Sequence, residues 1–591
     1  MMTPGLREYV LQASAEDDGN ATGSQQENTS QDPVQDLLPA ALAALAQAFT
    51  VTAEPDAPGG GVRRRTWLDT FDRRLDRAGL VLEVEQASRA SRLLLTQAAP
   101  ASSEASPAAP ASSEASPAAL TPSAAFQAEQ PVTGWPPRRP ALDLPPGQVR
   151  DQIAALISPR ALLPVVRAVS TVSVMRLRNA EGKTVARLLV DRPTATPPTA
   201  AGTTVELPPR LAITEVRGYS AQARKAAALL AAVPGVAPAR QSVYAAALTA
   251  LGHRPAVDAD GLPEPNARPI TAQLPASVAV ATLLLRLLDT VELNVDGVLR
   301  DIDTEFLHDL RVAVRRTRSA LKLLREVLPA DLVERYAAEF KWLGDLTTPT
   351  RDLDVHLLGF GALTEQLRAA SPADLEPFRA FLVRRRAREF RRLAATLRSA
   401  RFGALTRDWR KALLEVLDTS TPRKAHRKHH PRREPTAFAL ALSTTSRAFR
   451  RIATRGAAIT PDSPPESLHD LRKRCKELRY LLEFFAPLHD PAAYKKVVGD
   501  LKQLQDCLGD FQDSQIQREE IGALAEAMLA EHAAPAATLL AMGELAARLA
   551  VSQTKAREEF ARRFARFAGP AAQARIRTLL DESPARPEAA R

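Results

Sequence analysis

LHDLRVAVRRTRSALKLL, from Leu307 to Leu324, and LHDLRKRCKELRYLLEFF, from Leu468 to Phe485, decide the fold of the second half of this chain. They overlay without a gap at an offset of 469 − 308 = 161, which pairs His308 with His469, Arg311 with Arg472, Arg315 with Lys476 and Arg318 with Arg479. A second shared element follows each: WLGDLTTPTRDLDV from Trp342 to Val355, and LQDCLGDFQD from Leu504 to Asp513. Two elements repeating in the same order argue for duplication of one helical unit. In the first stretch His308, Arg311, Arg315, Arg318 and Lys322 are spaced 3, 4, 3 and 4 residues apart and share one helix face. Leu310, Val314, Thr317, Leu321 and Leu324 form the adjacent, mainly apolar stripe. In the second, His469, Arg472, Lys476 and Arg479 take the corresponding face, and Lys473 and Arg474 widen it.

Five such groups over about 15 residues make a ladder roughly 20 Å long, with one rung every ~5 Å. That repeat suits an extended polyanion carrying charge on every unit. Arg offers planar, bidentate hydrogen bonds to phosphate oxygens, Lys a point charge, and His a donor once protonated, below about pH 6.5. A charged helix face is most often only solvated, but such a face usually mixes signs so that i,i+4 pairs form. No acid stands between Leu310 and Arg325, and Glu477 and Glu483 are the only acids on the matching stretch of the second copy.

Working outward, the helical pattern runs from Ala276 to about Gly569. TPRKAHRKHHPRREP, from Thr421 to Pro435, is basic, proline-broken and without apolar periodicity, and it separates repeat one (276–420) from repeat two (436–585). Prolines punctuate the linker before it, 263–275. Residues 97–146 contain ASSEASPAAP followed at once by ASSEASPAAL, a tandem segment too poor in apolar area to offset its ordering entropy, and are expected to be a disordered insertion. The flanking stretches, 1–96 and 147–262, carry strand signals: Val172–Leu177 and Thr184–Asp191 flank the turn NAEGK, Leu211–Val216 is a further strand, and Ala221–Ala232 a helix. The expected fold class is α+β, an antiparallel β domain followed by an all-α duplicated bundle.

Composition narrows the function classes. A net charge of +11 favours polyanionic partners in general. The two cysteines, Cys475 and Cys507, fit neither a disulfide framework nor a zinc site and read as small core residues of a protein in a reducing compartment. The longest apolar stretch, Ala279–Leu288, is short and broken by Arg286, so no membrane span is expected and a cytoplasmic protein is.

The two quoted helices, with TRDLDV after the first, resemble the conserved histidine α-helical domain, or CHAD, family over about Ala276 to Arg577. The resemblance implies two helical bundles related by a pseudo-twofold axis, with a basic central surface that binds inorganic polyphosphate, and association with polyphosphate granules. It assigns binding to His308, Arg311, Arg315, Arg318, His469, Arg472, Lys473, Lys476 and Arg479, to which the helix wheel adds Lys322. Thr347-Thr348 stand where the family commonly has Leu-Gly. The first half is similar to the CYTH, or triphosphate-tunnel, fold: TWLDTFDRRLDRAGLVLEVE resembles its strand-turn-strand region and VRGYSAQARKAAALLAA its late strand and helix.

An active tunnel of that kind opens with ExExK, whose carboxylates hold a divalent metal beside a phosphate-binding Lys. Here Glu8 remains, while Val10 and Gln12 replace the other two positions. Glu83 and Glu85 stand where basic groups are usual, and Arg176, Arg178 and Arg187 are left as candidate lining groups. The expectation is therefore a non-catalytic polyphosphate-binding protein without metal or cofactor, its first domain a scaffold. The rival readings are a metal-dependent triphosphatase and a non-specific nucleic-acid binder. The second is disfavoured because the first ladder has no aromatic platform for stacking bases.

Overall fold

The structure, a computed structural model, describes residues 7–11, 37–55, 57, 60–87, 90–98, 126–132, 139–140, 143–198, 203–252, 269–419 and 434–581. The chain divides into two compact units, Met1–Asp258 and Ala259–Arg591. The tandem ASSEASPAA repeat, Gln12 and Thr421–Arg433 of the basic insertion lie outside the described residues.

The first unit is an antiparallel sheet. Its main path runs Val236–Pro238, Arg7–Leu11, Arg210–Glu215, Thr184–Thr196, Ala161–Arg178, Gly61–Asp69, Leu80–Ala87, Ala90–Gln97 and Phe126–Val132. The turn NAEGK does join two of these strands. Gly182 takes φ +76°, which an L side chain rarely adopts, and Lys183 N–H donates to the Asn179 side chain at 2.9 Å. Phe126–Val132 departs from expectation. It lies inside the stretch set aside as disordered, yet pairs with Ala90–Gln97, Leu95 opposite Ala128 and Leu93 opposite Gln130. The Ala/Ser/Pro bias before it hid a short strand whose buried Ala128 and Val132 join the core formed by Leu82, Val84, Leu93 and Leu95. Helix Gln148–Ile157 covers that core with Val149, Ile153 and Ile157, one turn apart. Helix Ser220–Ala231 covers a second core with Ala223, Ala226, Ala227 and Leu230.

The second unit is helical, and its secondary structure repeats the sequence offset. Helices Ala276–Leu299 and Ala437–Ala457 start 437 − 276 = 161 apart, Thr304–Leu323 and Pro465–Phe484 start 465 − 304 = 161 apart, and Ala330–Leu358 and Pro491–Ala530 start 491 − 330 = 161 apart. We call these α1 and α4, α2 and α5, α3 and α6. Their starts follow local chemistry. The Asp303 carboxylate accepts from Glu305 N–H at 2.9 Å to open α2, proline occupies the first position of α5 and α6, and Asp490 accepts from Ala493 N–H at 2.7 Å to open α6. The entries to the two repeats are tied together: Ala276 N–H donates to the Pro435 carbonyl at 3.0 Å and Ala437 N–H to the Leu274 carbonyl at 2.8 Å.

Leu310, Val314, Thr317, Leu321 and Leu324 of the apolar stripe are all at most 1% exposed. Burying each aliphatic side chain contributes about 1.5–3 kcal/mol, which fixes the rotation of α2 and so aims its basic face outward from its own bundle. The second stripe does the same through Leu468, Leu471, Cys475, Leu478 and Leu482. Both cysteines are buried free thiols, and burial pushes Cys475 up to about 12 and Cys507 up to about 11. The 40-residue α6 outruns its counterpart, and its Ile521, Leu524 and Met528 pack with Leu353, Phe378 and Phe381 from the first repeat. The two repeats therefore share core rather than merely abut. Among the described residues no helix is long and apolar enough to cross a membrane.

Candidate functional site

The pseudo-twofold of the repeat passes between α2 and α5, and the pairs that join them prove reciprocal. Lys322 Nζ meets Glu477 at 2.7 Å, and Arg316 meets Glu483 at 2.6 Å. Adding 161 to Lys322 gives Glu483, and adding 161 to Arg316 gives Glu477. The same two positions thus pair twice, with the charges exchanged, as an isologous contact requires. Arg315 Nε donates to the Tyr480 hydroxyl at 2.7 Å across the same joint.

This joint engages the outer rungs of the helix-wheel reading. Lys322 is 65% exposed and pairs with Glu477 across it. Arg479 is paired with Glu483 at 2.6 Å, the carboxylate that also takes Arg316. Lys473 is exposed, and His308 and His469 lie half-buried near the starts of their helices.

The inner rungs converge. Arg315 and Lys476 are repeat mates, and each helix brings one of them to the centre. Lys476 is pushed down to about 8 by its burial and by Arg472 and Arg315 beside it, with Asp513 pulling the other way. Burial also lowers Arg311, opposed by Asp352, while Arg315, Arg351 and Arg318 add to the fall. Six cations, Arg311, Arg315, Arg318, Arg351, Arg472 and Lys476, therefore share one region.

The acids present hold the arginines in place. Arg311 lies 3.7 Å from Asp352 and Arg472 lies 3.0 Å from Asp513, and these are again equivalent positions, 513 − 352 = 161. Arg351 reaches Glu305 at 3.3 Å and the Thr304 carbonyl at 3.0 Å. Arg351 was not a candidate in the sequence reading, although it stands inside the TRDLDV motif. Thr348 also acquires a role: its hydroxyl accepts from Arg311 and donates to the Gly344 carbonyl at 2.8 Å. The counterpart of Thr348 is Gly509, which leaves Arg472 to Gln512 and Asp513. Gly344 matters sterically, because a Cβ there would stand 2.8 Å from Arg318 Nη1.

In the sheet unit the candidate groups are arranged differently. Glu8 takes Arg210 at 3.0 Å, and Val10 is buried. Arg176 and Arg187 both clamp Glu54, at 2.8 and 3.1 Å. Arg176 and Arg187 hold that carboxyl down at about 2 against the opposing effect of burial. Arg178 is half-buried at the end of its strand. Glu85 pairs with Arg92 at 3.3 Å. Burial pushes Glu83 up to about 7, with Arg65 opposing and Glu85 reinforcing the rise. Arg65 is itself paired with Asp191.

Residues 282–522 match the CHAD domain family. That stretch of the helical unit is similar to a CHAD domain. Among curated proteins the chain is similar to the uncharacterized protein Rv2226 of Mycobacterium tuberculosis, 27% identical over 239 residues that cover 38% of this chain and 42% of the relative. The chain thus spans about two fifths of the length of that curated relative. Among solved structures, the CHAD domain from the plant Ricinus communis is 23% identical, with TM-score 0.38, over 54% of this chain and 96% of that one. HpAC1 from Hippeastrum, described as having a dominant triphosphatase activity, is 11% identical, with TM-score 0.23, over 41% of this chain and 94% of that one.

Proposed function

We propose that the CHAD domain binds inorganic polyphosphate, without chemistry, along the basic surface where α2 and α5 meet. The observation that carries this reading is the meeting of the repeat mates Arg315 and Lys476, flanked by Arg311, Arg318, Arg351 and Arg472. Like charges crowded to the point of lowering one another's pKa are costly in the free protein, and an anion relieves that cost on binding. Guanidinium groups held by Asp352 and Asp513 are already oriented, so less side-chain entropy is lost on capture. Tyr480, the aromatic at the joint, is buried and engaged with Arg315, and offers no face to a base. That favours phosphate recognition over nucleic-acid stacking.

The setting that follows is a cytoplasmic protein at polyphosphate granules, with the sheet unit as a CYTH-like scaffold that does not hydrolyse triphosphate. Glu8, the surviving acid of the opening motif, is occupied by Arg210 rather than open to a metal.

The test is a titration of the full chain with long-chain polyphosphate, triphosphate and single-stranded DNA, side by side at several salt concentrations. Polyphosphate should bind tightest, with affinity falling by roughly 0.7 in log–log slope per phosphate contact, as for a flexible single strand. Equal affinity for DNA of matched charge would replace polyphosphate with a generic polyanion. Magnesium- or manganese-stimulated release of phosphate from triphosphate, lost in Glu8→Gln, would make the sheet unit an enzyme.

A further inference from the structure

A second basic feature lies away from the central cluster. A concave pocket of about 210 Å³ is lined by Lys322 and Arg325 at the end of α2, by Arg447 and Arg451 of α4, and by Arg474 of α5, with Glu326 and Glu477 at its edge. Arg474 does not widen the basic face of α5 as its place in the sequence suggested: it is two positions from both Arg472 and Lys476, which at 3.6 residues per turn places it about 160° round the helix from each. On α5 the pocket therefore lies away from the face that carries the inner rungs, while on α2 it takes only Lys322, the outermost position of the ladder.

Three observations set it apart from an ordinary solvated surface. Five cations from three helices meet two carboxylates, an excess of 5 − 2 = 3 positive charges around a small concavity. The carboxylates are spoken for, Glu477 by Lys322 and by Arg474 at 3.1 Å, and Glu326 by Arg447 at 3.3 Å, while Arg325 and Arg451 form no ion pair among the described residues. Arg474 Nε is buried without a hydrogen-bond partner.

The pocket also breaks the pseudo-symmetry of the domain. Subtracting or adding 161 turns Arg325 into Ala486, Arg451 into Thr290, Arg474 into Ala313 and Lys322 into Glu483, and only Arg447 keeps a basic mate, Arg286. The duplication that built the central cluster did not supply this pocket. Its charges belong to one side alone, and all but the half-buried Arg474 stand on exposed positions where fold stability does not demand them.

We propose that this flank pocket is a separate site for a compact phosphate anion of the size and charge of pyrophosphate. Three basic helices around a small concavity suit a short, multiply charged ion that several guanidinium groups can grip at once. An extended chain is better served by the ladder. This proposal does not depend on what the central cluster binds.

The experiment titrates pyrophosphate into the full chain, into Arg325→Ala/Arg451→Ala and into Arg311→Ala/Arg315→Ala/Arg318→Ala, with circular dichroism confirming that each is folded. The pocket variant should lose tenfold or more in pyrophosphate affinity while its affinity for long-chain polyphosphate stays within about twofold. The cluster variant should keep its pyrophosphate affinity. Pyrophosphate binding that is absent from the unmodified chain, unchanged in the pocket variant, or lost equally in the cluster variant overturns the proposal. A failure of the cluster to bind polyphosphate leaves these readings distinct, since the pocket is read with a different ligand and different residues.

Discussion

The sheet unit and the helical unit are both rich in arginine, and they use it in opposite ways. In the sheet, Arg65 has Asp191, Arg176 and Arg187 have Glu54, Arg210 has Glu8, and Arg92 has Glu85 and Glu129. In the helical unit, Arg311, Arg315, Arg318, Arg351, Arg472 and Lys476 share one region, where burial first and the neighbouring cations second set Arg311 and Lys476 below their ordinary pKa values. Carboxylates answer Arg311, Arg351 and Arg472 as well, but there three acids face six cations, whereas in the sheet each of these arginines has an acid of its own or shares one with a single neighbour. Net charge alone could not have separated the two.

The largest effect expected from breaking this contrast is on stability in the sheet. Asp191→Ala strands Arg65, only 11% exposed, without its partner and should cost about 3–5 kcal/mol in chemical denaturation of the sheet unit. It should leave polyphosphate affinity unchanged, and a parallel loss of affinity would mean that the sheet takes part in binding.

Lys476→Met sharpens the contrast from the other side. Because Lys476 falls to about 8 in the folded chain, against about 10.4 for a free lysine, its charged form is disfavoured by folding at neutral pH. That cost is relieved as pH rises through 8 and vanishes above the unfolded value. At pH 7 the methionine variant should be more stable by on the order of 1–2 kcal/mol, after discounting for partial exposure, yet bind polyphosphate more weakly. In the unmodified chain a bound polyanion favours the charged lysine, so affinity should fall as pH rises through about 8, and fall less in the variant. A destabilised Lys476→Met, or an affinity flat from pH 7 to 9, contradicts the crowding. Lys322→Ala, at an exposed joint pair, should cost under about 1 kcal/mol and change polyphosphate affinity least of all the ladder positions. A large loss would make Lys322 a full rung of the ladder.

Much of this was legible in the sequence because duplication writes itself twice. The offset of 161 located the helices, and the 3-4 spacing separated the basic face from the apolar stripe. Periodicity could not reveal what each rung would find opposite it. Lys322 and Arg479 have the right spacing but meet Glu477 and Glu483 across the joint or one turn on, partners set by tertiary packing. Arg351 was visible in its motif, yet only the approach of α3 to the start of α2 brings it beside Arg311. Thr348 looked like a neutral departure from the family pattern, and became a hydroxyl on Arg311 because α3 packs against α2. Phe126–Val132 was lost to composition, since a short strand beside a Pro/Ala/Ser run has too few residues to show a period.

Whether both repeats contribute to one site is decided by calorimetric titration of long-chain polyphosphate into the full chain and two folded variants, Arg311→Ala/Arg315→Ala/Arg318→Ala and Arg472→Ala/Lys476→Ala/Arg479→Ala. Each lost charge-assisted contact should be worth about 1.5 kcal/mol or more, so each triple variant should lose on the order of 1000-fold or more, and the two losses should agree within about tenfold. One variant that binds like the unmodified chain while the other loses all affinity would contradict a shared site and confine binding to a single repeat.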